Sequence, residues 1–168
     1  VHEKNCEYLG VAVDNYAKAP PHPNLCDNYT RLGELLLDMG DVRAAKPILA
    51  TAVRLCEVIS QDENNHKLSF GKENALMALA SAQTALGDCY LRLGGPRNYA
   101  LCRPLLHSAY SIRMKYVGVR AHATIHTMNI QGMLDELEAD WKEEIKQVFK
   151  DKKREEEEKK DEEKKWPK

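Results

Sequence analysis

The stretch that decides the fold is YTRLGELLLDMGDVRAAKPILATA, residues 29–52, together with a second copy of its pattern, QTALGDCYLRLGGPRNYALCRPLLHSA, residues 83–109. In both copies a Leu-Gly pair precedes a large apolar residue by three positions, a second glycine follows, and leucine and alanine then recur at helical spacing. Self-similarity of this kind indicates a repeated pair of helices. The glycines of the two Leu-Gly pairs, Gly33 and Gly87, would let the helices of each pair approach closely.

Apolar residues follow helical spacing along nearly all of the remaining chain. No run of alternating apolar and polar residues bounded by turn residues is present, so strands are not expected. Gly40-Asp41 and Gly94-Gly95-Pro96 are the clearest breaks, because glycine favours helix ends, aspartate caps the next helix, and proline begins one. The pattern predicts an all-α chain with helices over residues 3–18, 25–39, 42–59, 72–93, 98–116 and from about 122 onward.

The two copies resemble tetratricopeptide repeats, and in particular the long repeats of the kinesin-light-chain type. The likeness rests on the Leu-Gly positions, on the early proline in Lys46-Pro47-Ile48-Leu49 and Arg103-Pro104-Leu105-Leu106, and on the lead-in His22-Pro23. It covers roughly residues 21–137 and implies an α-solenoid of antiparallel helical hairpins with a long C-terminal helix. The expected units are an N-terminal helix (1–20), hairpin 1 (21–59), a loop (60–71), hairpin 2 (72–118), a third-repeat or capping helix (119–149) and a charged tail (150–168).

The charge pattern excludes two classes of partner. Among 168 residues there are 25 basic and 26 acidic side chains, and the formal net charge is −1. A near-neutral chain has no electrostatic footprint for nucleic acid or anionic lipid. Residues 150–165 are all charged, with eight side chains of each sign, and we expect a solvated continuation of the last helix or a disordered tail there. No run of apolar residues is long enough to insert into a membrane.

Catalytic and metal-binding arrangements are weakly supported. Cys102 with His107, or Cys89 with His126, could pair a nucleophile with a base, but neither pair stands in a glycine-rich elbow. His122 and His126 share a helix face without the glutamate of a zinc motif or a third ligand. The five cysteines form no Cys-x-x-Cys pair and are expected to be small buried residues in a reducing compartment. We therefore expect no enzyme activity, no cofactor and no metal.

Two surfaces are predicted to bind partners. The resemblance implies that the first helix of each hairpin lines a concave groove, and the groove would then be polar and mildly acidic and would suit a basic or polar peptide or helix. Its residues are Asp27, Thr30, Arg31, Glu34, Ser81, Thr84 and Asp88. The second surface is the far part of an apolar seam on the last helix. It consists of Trp141, Ile145, Val148 and Phe149, and we expect it to be buried, either by capping the array or by docking on another protein.

These expectations favour a non-catalytic protein–protein interaction adaptor or scaffold. The alternative is a structural accessory subunit of a large organellar or ciliary assembly. The first residue is Val1 and no signal peptide is evident, so the chain is interpreted as processed, truncated, or begun at its first ordered residue. We expect a cytoplasmic protein, or alternatively one of the mitochondrial matrix after removal of a transit peptide.

Overall fold

The computed structural model describes residues 23–61 and 71–165, together with Lys4, and side chains as far as residue 159. This part of the chain is helical, with no strand in it, which confirms the all-α prediction. The predicted helix over 3–18 and most of the predicted loop over 60–71 lie outside the described residues. The helices are α1 (Pro23–Asp38), α2 (Val42–Gln61), α3 (Gly71–Leu93), α4 (Pro96–Tyr116) and α5 (His122–Lys165).

The short turns between helices form where the glycine signals predicted them. Gly40 has a φ of 82°, a left-handed conformation that side chains with a Cβ rarely adopt. Directly after it, the Asp41 carboxylate accepts a hydrogen bond of 3.0 Å from the backbone N–H of Ala44, which caps α2. Gly94 and Gly95 also have positive φ values, and Pro96 is the first residue of α4. Local chemistry therefore sets these helix ends.

Both Leu-Gly glycines lie where two helices nearly touch. A Cβ added at Gly33 would lie 2.3 Å from a side-chain carbon of Leu49 on α2. A Cβ added at Gly87 would lie 2.8 Å from Leu106 on α4. Both leucines are fully buried. The prediction that these glycines permit close approach is confirmed.

Each helix packs on its neighbour in the chain, and contacts also join α1 to α3 and α3 to α5. A larger core lies among α1, α2 and α3, where Leu49, Ala52, Val53 and Cys56 of α2 are buried. A smaller core joins α3, α4 and α5. Its members are Leu91, Tyr99, Cys102, Leu106, Ile130 and Leu134.

The far part of the α5 seam is not covered, so the expectation of a buried stripe is wrong for its last two residues. Val148 is 50% exposed and Phe149 is 69% exposed, whereas Trp141 and Ile145 are half-buried. At about 1.5 Å per residue, the 44 residues of α5 span about 66 Å and the 21 residues of α4 only about 32 Å. Trp141 lies beside Pro96, where α4 begins. Beyond that point, no described helix is left to pack on α5.

The charged segment continues α5 as a helix as far as Lys165. Within its described side chains, Lys153 pairs with Glu157 and Arg154 with Glu158, both at i,i+4 spacing. Pairs of this kind add only about 0.2–0.5 kcal/mol each to a helix. None of the helices in the described ranges has the length and apolar content needed to cross a bilayer.

Candidate functional site

The predicted groove residues lie only partly together. Glu34 of α1 and Ser81, Thr84 and Asp88 of α3 line one groove of about 290 Å³. Sequence reasoning missed the other polar residues that line it, which are Asp38, Arg92, Arg113 and His126. The groove therefore takes side chains from α1, α3, α4 and α5.

Three predicted residues on α1 lie outside this groove. Asp27 and Arg31 pair with each other at 2.9 Å on the exposed surface of the helix. Thr30 is buried, and its hydroxyl donates a hydrogen bond of 2.8 Å to the backbone oxygen of Cys26. Thr30 therefore stabilises its own helix and does not offer its hydroxyl to a ligand.

Thr84 also differs from its predicted role as an exposed contact. The residue is only 3% exposed. Its hydroxyl donates to the backbone oxygen of Ala80 and accepts a hydrogen bond of 2.8 Å from the Arg113 guanidinium. Thr84 is buried because α5 packs near this side of α3 and brings the Thr127 hydroxyl to 3.4 Å from the Thr84 hydroxyl.

Arg113 joins three helices at the floor of the groove. From α4, its Nη1 donates to Thr84 of α3 and to the Ala123 carbonyl and Thr127 hydroxyl of α5. Its Nη2 has a long contact of 3.4 Å to the Ser81 hydroxyl. A signal for this residue was present in the sequence, because Arg113 continues the spacing of the buried positions of α4. Those positions are Tyr99, Cys102, Leu106 and Ala109.

The charge of Arg113 is buried without a carboxylate partner. The residue is 4% exposed, and no carboxylate of the described residues lies within ion-pair distance of it. Its Nε is buried, and none of the residues that the structure describes forms a hydrogen bond with it. Burial lowers the pKa of the guanidinium, and the more distant charge of Glu34 opposes that shift. Arginine nevertheless stays protonated in proteins, so the groove has a cationic floor.

The rim of the groove is acidic. Asp88 is paired with Arg92 at 2.9 Å, and Arg92 also donates to the backbone oxygen of Leu37, which ties α3 to α1. Glu34 and Asp38 form no ion pair with any described residue. Glu34 remains in contact with solvent, yet partial burial raises the pKa of its carboxyl, and the neighbouring charges of Asp27 and Asp38 raise it further. Two carboxylates on α1 are thus available to a cationic ligand.

A second, wider groove of about 810 Å³ lies between α4 and α5. Arg103 of α4 crosses to α5, where it pairs with Asp135 at 2.7 Å and with Glu138 at 2.9 Å. Arg103 is half exposed, so these ion pairs add little stability. Charged side chains therefore line this contact between α4 and α5. The contacts of α1 with α2 and of α3 with α4 differ, because Gly33 and Gly87 let those helices pack closely on buried leucines.

Two of the four buried cysteines that the structure describes, Cys89 and Cys102, donate hydrogen bonds to backbone oxygens, and burial makes their thiols poor nucleophiles. Cys102 Sγ donates to the backbone oxygen of Gly87 at 3.1 Å, and burial, followed by the charge of Asp88, raises the pKa of its thiol to about 12. Cys89 Sγ donates to the oxygen of Val42, and burial raises its pKa to about 11. A hydrogen bond with Cys26, together with burial, raises the pKa of the Cys56 thiol. The hydrogen bonds described for Cys89 and Cys102 do not involve a histidine.

Alkylation rates test this description of the thiols. Because the pKa of Cys102 is raised from 9.0 to about 12, its thiolate fraction near neutral pH falls roughly a thousand-fold. We expect iodoacetamide to label Cys102 far more slowly in the folded chain than in the same chain in urea, as measured by peptide mass spectrometry after timed quenching. Rapid labelling of Cys102 in the folded chain would contradict a buried, protonated thiol.

The described residues contain no group of three or more side chains that could hold a metal ion. No family model, no curated protein and no solved structure matches this chain.

Proposed function

We propose that this chain is a non-catalytic protein–protein interaction adaptor or scaffold built on repeats of the tetratricopeptide type. The observation that carries the proposal is the groove of about 290 Å³, which four helices line. Two of its carboxylates, on α1, form no ion pair with any residue that the structure describes. Protein surfaces that place unpaired charge in a concave site are suited to a partner of opposite charge. The ligand is a basic or polar polypeptide segment, extended or helical, from another protein.

The packing supports a repeat arrangement. The equivalent glycines, Gly33 and Gly87, each admit a buried leucine of the following helix, so α1 with α2 and α3 with α4 form two similar hairpins. The first helices of the pairs also contact one another, since α1 touches α3 and α3 touches α5. In solenoids, stacked units of this kind create extended concave surfaces that bind ligands. A cytoplasmic location, or the alternative of the mitochondrial matrix, stays a prediction from the sequence.

The acidic rim gives the proposal a direct test. A random peptide library displayed on phage is selected on the purified chain, and we expect enrichment of peptides rich in lysine and arginine. The double substitution Glu34→Lys with Asp38→Lys reverses the rim charge and should weaken a selected peptide by about tenfold or more. Glu57→Lys on the exposed face of α2 is the matched control and should leave the affinity unchanged. Equal affinity of the double variant and the control would contradict binding at the rim.

The alternative function, a structural subunit of a larger assembly, is favoured by one specific observation. Val148 and Phe149 remain exposed on a helix that continues past the last of the described helices that pack on it. Each large apolar side chain that a partner covers contributes about 1.5–3 kcal/mol. A partner protein could therefore bind to Val148 and Phe149 on this part of α5, and the groove would not take part in that contact.

Two truncations separate packing within the chain from docking on a partner. Ending the chain after Phe149 removes only the charged segment and should leave the melting temperature nearly unchanged. Ending it after Leu137 also removes Trp141, which packs beside Pro96 and Tyr99, and should lower the melting temperature by several degrees. Val148→Glu with Phe149→Glu in the intact chain should leave the melt unchanged and should abolish retention of an assembly partner. If this double variant still retains the partner, the exposed stripe is not the contact.

A further inference from the structure

The floor and the rim of the groove have opposite charge. Arg113 at the floor is 4% exposed, and all its hydrogen-bond acceptors are uncharged oxygens. The rim carries Glu34 and Asp38, which have no ion-pair partner among the described residues. The described ion pairs do not join Arg113 to Glu34 or to Asp38. The groove therefore has a cation at its floor and two anions at its rim that do not neutralise one another through direct contact.

Arg113 retains unused donor capacity. Its Nη1 carries three of the four contacts, Nη2 has only the 3.4 Å contact to Ser81, and Nε has none. Guanidinium groups bind carboxylates through two parallel N–H···O bonds, and Nη2 with Nε is the donor pair that the described contacts leave least used. A buried cation without a counter-charge is unfavourable, so a carboxylate that reaches this floor gains more than one at the exposed surface.

We propose that Arg113 binds a carboxylate of the polypeptide in the groove, while Glu34 and Asp38 bind a cationic group of the same ligand. This inference rests on the proposed function and specifies the chemistry of the bound segment: an acidic group next to a basic one. A purely basic segment would leave the charge of Arg113 unneutralised. A strongly acidic segment would face Glu34, Asp38 and the paired Asp88. The ligand carboxylate takes the place of the weak Ser81 contact, and Ser81 keeps its own bond to the Met77 carbonyl.

Short synthetic peptides test the carboxylate directly on the unmodified chain. The main probe is an acetylated and amidated peptide that contains Lys and Asp joined by short glycine spacers, and its partner probe has Asn in place of Asp. A third probe has Asn in place of Asp and a free C-terminal carboxylate, which separates a side-chain source of the carboxylate from a chain terminus. Binding is followed by two-dimensional NMR of arginine Nε–H signals, with the Arg113 signal assigned by its loss in Arg113→Lys.

We expect the Asp peptide to bind about tenfold more tightly than the Asn peptide and to shift the Arg113 signal, as a charge-assisted pair requires. Arg113→Lys should reduce this preference, whereas Arg103→Lys on the same helix should leave it unchanged. Glu34→Gln should weaken the Asp and Asn peptides by a similar factor, because both carry the lysine. A shift and tighter binding seen only with the free C-terminal carboxylate would support the proposal with a chain terminus as the source.

Other outcomes overturn the inference and remain distinguishable from failure of the proposed function. Equal binding of the Asp and Asn peptides, with Glu34→Gln weakening both, would disprove the carboxylate contact and leave a groove for basic segments. A shift of the Arg103 signal in place of the Arg113 signal would place the carboxylate in the other groove and would also disprove it. If no probe binds and no arginine signal moves, both the inference and the groove function are wrong.

Discussion

Replacing Gly33 by alanine should lower the free energy of unfolding by about 1–3 kcal/mol or more. The added Cβ would lie 2.3 Å from one carbon of Leu49 and 2.4 Å from another, and real Cβ atoms essentially never approach that closely. Leu49 is completely buried, so it cannot move aside without disturbing the core among α1, α2 and α3. The two helices of the first hairpin would have to separate. Urea unfolding followed by circular dichroism measures the effect.

Gly132→Ala is the matched control, because it is the same chemical change in a different setting. Gly132 lies inside α5, has no positive φ, and has open space where its Cβ would be. Alanine there should stabilise the chain by about 0.5–1 kcal/mol, since glycine is a poor residue in a helix interior. Opposite signs for the two substitutions are therefore expected. Unchanged stability of Gly33→Ala, or a loss at Gly132 as large as that at Gly33, would show that close approach at Gly33 does not decide the packing.

Replacing Arg113 by alanine should lower the free energy of unfolding by about 2–4 kcal/mol. The substitution removes every hydrogen bond that the guanidinium makes to α3 and α5, and leaves a cavity where the side chain was buried. Since α5 has few other contacts with α3, its first turns should loosen. Urea unfolding gives the overall loss, and hydrogen exchange of the amides from Thr124 to Ile130 shows whether it is concentrated in α5.

Two further variants show which part of Arg113 matters. Arg113→Met keeps most of the volume without the charge, so the difference between the Met and Ala variants separates the cavity from the polar network. Arg97→Ala, on the exposed face of the same helix, should change stability by less than about 0.5 kcal/mol. A loss at Arg97 as large as that at Arg113, or unchanged exchange in α5, would contradict the role of Arg113 as the joint between the three helices.

Half of the polar residues that line the candidate groove were predicted from the sequence, and the other half were not. Glu34, Ser81 and Asp88 were expected on one face of the first helices, and they do line the groove. Thr84 lies there as well, but it is buried and bonded to Arg113. The two acidic residues proposed to bind a cation are Glu34, which was predicted, and Asp38, which was missed. Arg113 was missed because a charged residue at an inward helical position is unusual, and its spacing alone does not show what it contacts.

The helical class and the helix ends follow from the sequence alone, because their causes are local. Glycine at Gly40, Gly94 and Gly95 permits the left-handed turn, and Asp41 caps the helix that follows, whatever surrounds them. The repeated Leu-Gly pairs also identified Gly33 and Gly87 as points of close approach, since only a residue without a Cβ fits there. Periodicity likewise identified the apolar face of α5.

Burial along that face depends on the packing of the whole chain. The periodic spacing of apolar residues shows which side of a helix is apolar. Those residues are buried only where a neighbouring helix is long enough to pack against them. Because α4 begins beside Trp141, the stripe is covered at Ile130 and Leu134, half-covered at Trp141 and open at Phe149, and Leu137 is already 37% exposed. The same reasoning applies to Arg113 and Thr84, whose contacts come from helices distant in the sequence. Local spacing determines which residues share a face, and the ends of the neighbouring helices determine which of them meet water.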